Sequence, residues 1–227
     1  MQIGILGTGV VGQTIAAALV AKGHAVMIGT RDPQATIARD TGNAFDKTPF
    51  RDWQAAHSAV RLGTFAEAAR FGEVLVNATS GDGALPALQA AGADARGDRI
   101  LLDIANPLDF SRGMPPSLTV CNTDSLGEQI QRAFPRLRVV KTLNTTNALV
   151  MVNPAAVAGG DHSMFVCGND ADAKARVRDW LGEWFGWRDV IDLGDITTAR
   201  GTEMLLPIWV RLGGALGTPM FNFKIVR

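Results

Sequence analysis

The 227-residue chain has no tyrosine, two cysteines and three histidines. Each scarcity removes a chemistry. Without tyrosine, the chain cannot use the Tyr-x-x-x-Lys pair with which a large class of α/β reductases moves protons. Cys121 and Cys167 form no Cys-x-x-Cys and no metal cluster, so they read as free thiols of a reducing, cytoplasmic environment. His24, His57 and His162 stand at no triad spacing from Ser, Cys or a carboxylate, and each reads as structural. Charged residues are 19% of the chain, against about 25% in ordinary soluble domains. Lys+Arg and Asp+Glu are both 22, which leaves no basic field for nucleic acid or an anionic membrane. No uninterrupted apolar run reaches the roughly 18 residues of a membrane span. The first apolar run lacks a basic region before it and holds glycines at motif positions, so it reads as a strand rather than a signal peptide.

What is present is apolar bulk: 47% hydrophobic residues, enough for a large core and a subunit interface. The length suits one large domain, or one domain with a small appendage. Folding at this size buries roughly 70% of the unfolded surface without staples.

The organising stretch is residues 2–31. Ile3, Ile5 and Leu6 form a short run typical of a strand buried on both faces. Gly7, Gly9 and Gly12 follow at G-x-G-x-x-G spacing. A helix with Val11, Ile15, Ala18 and Leu19 comes next, Gly23 stops it, and Ala25 to Ile28 forms a second strand. A G-x-G-x-x-G alone is weak, but between a strand and a helix it marks a dinucleotide site. Gly7 permits the tight turn, Gly9 lets the backbone approach a pyrophosphate, and Gly12 lets helix and strand pack closely. The N–H groups around Thr8, Val10 and Val11 then face the phosphates at the positive end of the helix.

The end of the second strand chooses the nucleotide. An NAD site usually places Asp or Glu there for the ribose hydroxyls. Here the residues are Gly29-Thr30-Arg31-Asp32-Pro33. Thr30 can donate a hydrogen bond and Arg31 can grip a 2′-phosphate. A charge-assisted bond of roughly 1.5–3 kcal/mol corresponds to about 10- to 100-fold preference for NADP. A one-residue slip would instead make Asp32 the ribose carboxylate and favour NAD. Pro33 starting the next helix, with Asp32 as its N-cap, favours NADP.

Along the chain, the pattern predicts a helix from Pro33 to about Thr41 and an irregular stretch over 42–56 with a short helix near Trp53. A strand at 59–62 follows, then a helix opened by a Thr64/Glu67 capping box. A strand at 73–78 ends in Ala78-Thr79-Ser80, where ligands lie in open parallel sheets. Thr79 and Ser80 are either ligand contacts or ordinary helix caps, or both. After a helix at 84–92, a strand at 99–104 runs into Asn106-Pro107; Pro107 holds Asn106 extended, with its amide aimed at the crevice or closed into an Asx turn. Then come a loop at 109–122, a helix from Asp124-Ser125 to Phe134, a strand at 138–141 and a polar patch over 142–147. The remaining expected elements are a strand at 162–168, a helix at 171–185, a strand at 190–193, a helix at about 197–217 and a strand at 220–226. There are no internal repeats and no long linker.

Acids and bases near this crevice are few. Lys141 is the best basic candidate for a proton donor or an anion contact, set against a plain strand-end lysine. Carbonyl reduction usually wants a proton donor beside the oxygen. Transfer between two bound redox rings needs mainly orientation and exclusion of water. Little chain follows Asp195, so a substrate pocket must come from the sheet edge, the tail or a second subunit.

The chain resembles the family of coenzyme F420-dependent NADP oxidoreductases. The likeness rests on residues 7–12, Gly29-Thr30-Arg31, 77–80, Asp103-Ile104-Ala105-Asn106-Pro107-Leu108, 140–144, Phe165-Val166-Cys167-Gly168-Asn169-Asp170 and the tail from Asp192 through Gly201-Thr202-Glu203. It implies a Rossmann-type, doubly wound, mainly parallel α/β sheet over residues 1–195, with a small helix-plus-strand portion at 196–227. It also implies Thr8, Thr30 and Arg31 at the adenosine phosphates, Ser80 and Asn106 nearer the nicotinamide, and F420 stacked over that ring. The chain departs from the family pattern in having no dense basic patch for the acidic tail of F420; Arg112, Arg136, Arg138 and Lys141 are scattered. Reduction of an imine, a carbonyl or a metal, and a non-catalytic nucleotide sensor, are the alternatives. No resident metal is expected. The apolar stretch from Thr197, broken by Pro207, is a core helix, a lid or a homodimer interface, and Trp209→Ala would lower the apparent mass in the last case.

Overall fold

The computed structural model describes residues 1–42, 47–92 and 97–227. Part of the expected irregular stretch, residues 43–46, lies outside them. The strands are β1 (Gln2–Leu6), β2 (Ala25–Thr30), β3 (Val60–Thr64), β4 (Val74–Asn77), β5 (Ile100–Asp103), β8 (Arg138–Thr142), β9 (Ser163–Cys167) and β10 (Asp189–Asp192), with a small hairpin of β6 (Leu108–Asp109) and β7 (Ser117–Leu118). Among the described residues the main sheet runs β10-β9-β8-β5-β4-β1-β2-β3. From β3 to β8 all pairs are parallel, in the order of a Rossmann sheet. β9 then turns antiparallel to β8, and β10 runs parallel to β9.

Parallel strands covered on both faces should be apolar throughout, and β4, β5 and β9 are buried at every position. The helices are α1 (Val10–Ala21), α2 (Pro33–Ala38), α3 (Phe50–Ala56), α4 (Phe65–Phe71), α5 (Gly81–Ala91), α6 (Leu126–Ala133), α7 (Ala148–Val152), α8 (Ala171–Trp180) and α9 (Ala199–Leu216). Several of them start at a side-chain cap. The Thr64/Glu67 capping box opens α4, and Ser125 accepts from the Glu128 N–H at the head of α6.

Four expectations need correction. α2 ends at Ala38, short of Thr41. The loop at 109–122 contains the β6–β7 hairpin, whose two-residue strands are too short to show a period. α9 passes through Pro207 unbroken, held by buried Glu203 and Leu206 on the preceding turn. The tail at 220–226 is extended but is not a strand: it offers β9 one backbone bond, from the Ser163 N–H to the Phe223 carbonyl. No helix among the described residues is long and apolar enough to cross a membrane.

Candidate functional site

The carboxyl ends of β1, β2, β4 and β5 converge on one crevice. The turn from β1 to α1 shows three glycines with three different constraints. Gly7 has φ +116°, and a Cβ there would lie 2.5 Å from the Ala78 carbonyl oxygen. A Cβ on Gly12 would lie 2.2 Å from the Gly7 carbonyl oxygen. Gly9 has φ −74° and ψ 176°, open to any residue, and a Cβ there would meet nothing within 4 Å. Protein packing therefore requires Gly7 and Gly12 but not Gly9. The space above Gly9 adjoins the head of α1, where no side chain caps the helix and no acidic residue occupies the first turn. The unpaired N–H groups of a first turn attract anions. Gln13 donates to the Thr8 carbonyl at 2.8 Å and holds the turn in shape.

The end of β2 is resolved by its hydrogen bonds. Asp32 accepts from the Ala35 N–H at 2.9 Å and caps α2. Its carboxylate is committed there. The Thr30 hydroxyl is buried against the Thr36 hydroxyl at 2.9 Å. Arg31 is exposed and, among the described residues, has no hydrogen-bond or ion-pair partner.

After β4, the Ala78 N–H bonds the Leu6 carbonyl, which ties this loop to the glycine turn. Thr79 donates its hydroxyl to Asn77 Oδ1 at 2.7 Å. Ser80 stands at the N-cap of α5, yet its side chain makes no capping bond. After β5, Asn106 and Asn144 exchange hydrogen bonds: Asn106 Nδ2 donates to the Asn144 carbonyl at 2.9 Å, and Asn144 Nδ2 to Asn106 Oδ1 at 3.0 Å. This is a cross-strand clasp rather than an Asx turn. Leu143, just before Asn144, is buried with φ +59°, a rare conformation for leucine that turns the chain between β8 and the clasp. Pro107 packs beside Gly81, where a Cβ would come within 2.7 Å of it.

Lys141 is corrected. It is buried, and its ammonium lies 2.8 Å from Asp103 and 2.8 Å from Glu203, with a further bond to the Ala105 carbonyl. Burial works against its charge, but the two carboxylates outweigh it and raise its pKa above the ordinary lysine value. It faces neither solvent nor crevice. Arg138 bonds the Asp98 carbonyl at the amino end of the sheet, and Arg136 lies against Gly97 nearby, so neither reaches the crevice. Arg112 sits exposed in the β6–β7 turn. The three histidines make local contacts: His24 with Trp184, His57 with the Trp53 carbonyl, His162 with the Pro154 carbonyl.

Next to Pro107 opens a cleft of about 390 Å³ between the hairpin and α9. Leu108, Phe110 and Met114 form one wall, and Leu206, Trp209 and Val210 the other. No residue lining it is titratable. Trp209 faces this cleft and stacks on Phe221 at 5.3 Å. Sequence reasoning did not foresee the cleft. Its walls are about a hundred residues apart in the chain, and each alone reads as apolar filler.

The sheet order, the glycine turn and the uncapped helix head define a dinucleotide-binding protein of the Rossmann class. Residues 2–107 match the family model of the coenzyme F420-dependent NADP oxidoreductases. A structure from Arthrobacter sp. FB24, provisionally named an F420-dependent NADP-reductase, is 60% identical, and each chain covers all of the other, with a TM-score of 0.94. The metalloreductase STEAP3 of Rattus norvegicus is 27% identical over 214 residues, 92% of this chain and 38% of the relative, so the chain spans well under half of that protein. A reductive aminase of Aspergillus terreus, solved with NADPH, shares the fold at 16% identity with a TM-score of 0.61, over 95% of this chain and 62% of the other. The chain belongs to the coenzyme F420-dependent NADP oxidoreductase family. Its class is that of NADP-dependent oxidoreductases.

Proposed function

We propose that the protein passes a hydride between NADP(H) and a deazaflavin or flavin-like ring seated in the apolar cleft. The carrying observation is that cleft: it adjoins the strand ends of the nucleotide crevice, and no titratable side chain lines its walls. A ring-to-ring transfer asks the protein only for alignment and dryness, whereas an imine or carbonyl would need a proton source beside it.

NADPH, when bound, supplies the hydride. The N–H groups at the head of α1 and the open space at Gly9 receive its pyrophosphate, with Gly7, Thr8, Val10, Val11 and Gly12 shaping the turn. Arg31 pairs with the 2′-phosphate, with Thr30 beside it. Asp32, spent on its cap, does not compete for the ribose. Ala78, Thr79 and the free hydroxyl of Ser80 line the path to the nicotinamide. The Asn106–Asn144 clasp and Pro107 form the floor between the two rings. Arg112 is the basic residue placed beside the cleft to meet an acidic tail on the acceptor.

The same reading takes the protein as a cytoplasmic homodimer joined through the outward side of α9, where Met204, Ile208 and Leu216 are exposed. Ile208→Glu should then halve the apparent mass in solution, and an unchanged dimer would end that reading. Trp209 points into the cleft and is the wrong residue for this test.

The deciding experiment is NADPH consumption by the pure protein with F420, then FMN, as acceptor. Turnover with either supports the proposal. Tight NADPH binding with no turnover on either discards it. Turnover on an imine or a ferric chelate instead would move the protein toward the chemistry named for the aminase and STEAP3 relatives.

A further inference from the structure

A chain of buried polar groups crosses the carboxyl ends of the central strands. It begins at Thr79 in the nucleotide crevice, whose hydroxyl donates to Asn77 Oδ1. Asn77 Nδ2 donates to Asp103 Oδ1 at 2.8 Å. Lys141 donates to Asp103 Oδ2 at 2.8 Å, and also holds the Ala105 carbonyl, one residue before Asn106. The ammonium of Lys141 then meets Glu203 Oε1 on α9 at 2.8 Å. Both Glu203 oxygens also accept from the head of α6, from the Leu126 and Gly127 N–H groups at 2.9 and 3.0 Å. Asn77, Asp103, Lys141 and Glu203 are each at most 1% exposed. One turn beyond Glu203, Leu206 begins the α9 wall of the apolar cleft.

Such an arrangement is costly to build. Two carboxylates and an ammonium have been taken out of water, and apolar residues could fill the same volume at no loss of stability. A fully satisfied network of this kind defines geometry more than it adds stability. It also joins two separate places: the loops that take the nucleotide and the helix that walls the cleft.

We propose that Asp103, Lys141 and Glu203 are positioning residues that couple the nucleotide loops to α9, so that nucleotide binding sets the α9 wall of the cleft. The inference rests on the reading of that cleft as the acceptor seat, but its test does not require turnover. When NADPH fixes the loops carrying Thr79 and Asn106, the Asp103 carboxylate and the Ala105 carbonyl are fixed with them. Lys141 then has one position, and Glu203 follows it. Coupling between sites of this kind needs a physically contiguous element that both ends bias, and this chain of bonds supplies one.

The test is amide hydrogen exchange with and without NADPH, on the wild type and on Glu203→Gln, an isosteric change that removes the charge facing Lys141. In the wild type, NADPH should slow exchange about tenfold in the nucleotide loops and also in residues 199–210. In Glu203→Gln, the loops should remain protected by NADPH while the protection of 199–210 is lost. If Glu203→Gln does not fold, Glu203→Asp keeps the charge one methylene further from Lys141 and should show the protection of α9 reduced. Protection confined to the nucleotide loops in the wild type overturns the coupling. Equal protection of α9 in wild type and variant overturns the route through Glu203. A wild type that binds NADPH and protects α9 but reduces neither F420 nor FMN leaves the coupling standing and removes only the acceptor reading.

Discussion

The two sides of the crevice are built by opposite means. The nucleotide side is local: residues 7–12 form one turn, and its geometry follows from three glycines a few positions apart. The cleft side is assembled at long range, from a hairpin at 108–118 and a helix beginning at 199. The first is polar backbone left open at a helix head; the second is apolar side chain brought together by the whole fold. Local geometry can be written into a short motif, and long-range geometry cannot. This difference explains why one side can be read along the chain and the other cannot.

The sharpest way to break the comparison is within the glycine turn. Gly12→Ala puts a Cβ 2.2 Å from a backbone oxygen that cannot move away cheaply. It should cost about 4 kcal/mol or more and lower the melting temperature by roughly 10 °C. Gly9→Ala meets nothing in the protein and should leave the melting temperature unchanged. It should nonetheless weaken NADPH binding at least about tenfold, because the new methyl occupies the approach of the pyrophosphate. If Gly9→Ala binds NADPH normally, the turn is not where the phosphates sit. Calorimetry and a nucleotide titration on the two variants decide it.

A second, smaller effect tests selectivity. Arg31→Ala should weaken NADPH binding by about 1.5–3 kcal/mol and barely change NADH. Equal losses for both would remove Arg31 as the reader of the phosphate. On the cleft side, Leu206→Ala should raise the acceptor KM several-fold with the NADPH dissociation constant unchanged. A matching loss of NADPH affinity would merge the two sides into one site.

The smallest effect is in pH. The Arg200 guanidinium, hydrogen-bonded to Glu128, holds that carboxyl below its ordinary value, although burial opposes it. A depressed carboxyl stabilises the fold above its unfolded value, near 4.3, and that contribution fades as the pH falls through the lower folded value. Arg200 is partly exposed, so solvent screens the tie and its effect is small. Melting curves from pH 6 to pH 3 should therefore show a slightly shallower acid decline in Arg200→Gln than in the wild type. An identical decline would show that the α6–α9 surface pair carries nothing.

Much of this was visible in the residues. The β1–α1–β2 unit, the Thr64 capping box and the choice of Asp32 as a cap each depend on neighbours within a few positions, and each appears in the structure where the pattern placed it. α7 escaped because Ala148 to Val152 is short and apolar, and only the Asn147 cap marks it as a helix. Along the chain Lys141 reads as a lone base because its partners lie 38 and 62 positions away. Asp103 and Glu203 carry no signal of their own along the chain beyond their place in the family likeness. Their meeting depends on how α9 returns over the sheet, which no local pattern records.

Gly9 carries a consequence for anyone who would engineer the protein. A screen that rewards only heat resistance would find the position permissive, since its backbone angles suit any residue and its surroundings are empty. Replacing it would go unpunished, because a side chain there meets no neighbour. Variants gathered in this way would be free to change the one glycine of the turn that the fold itself does not need, the one whose open face adjoins the uncapped helix head.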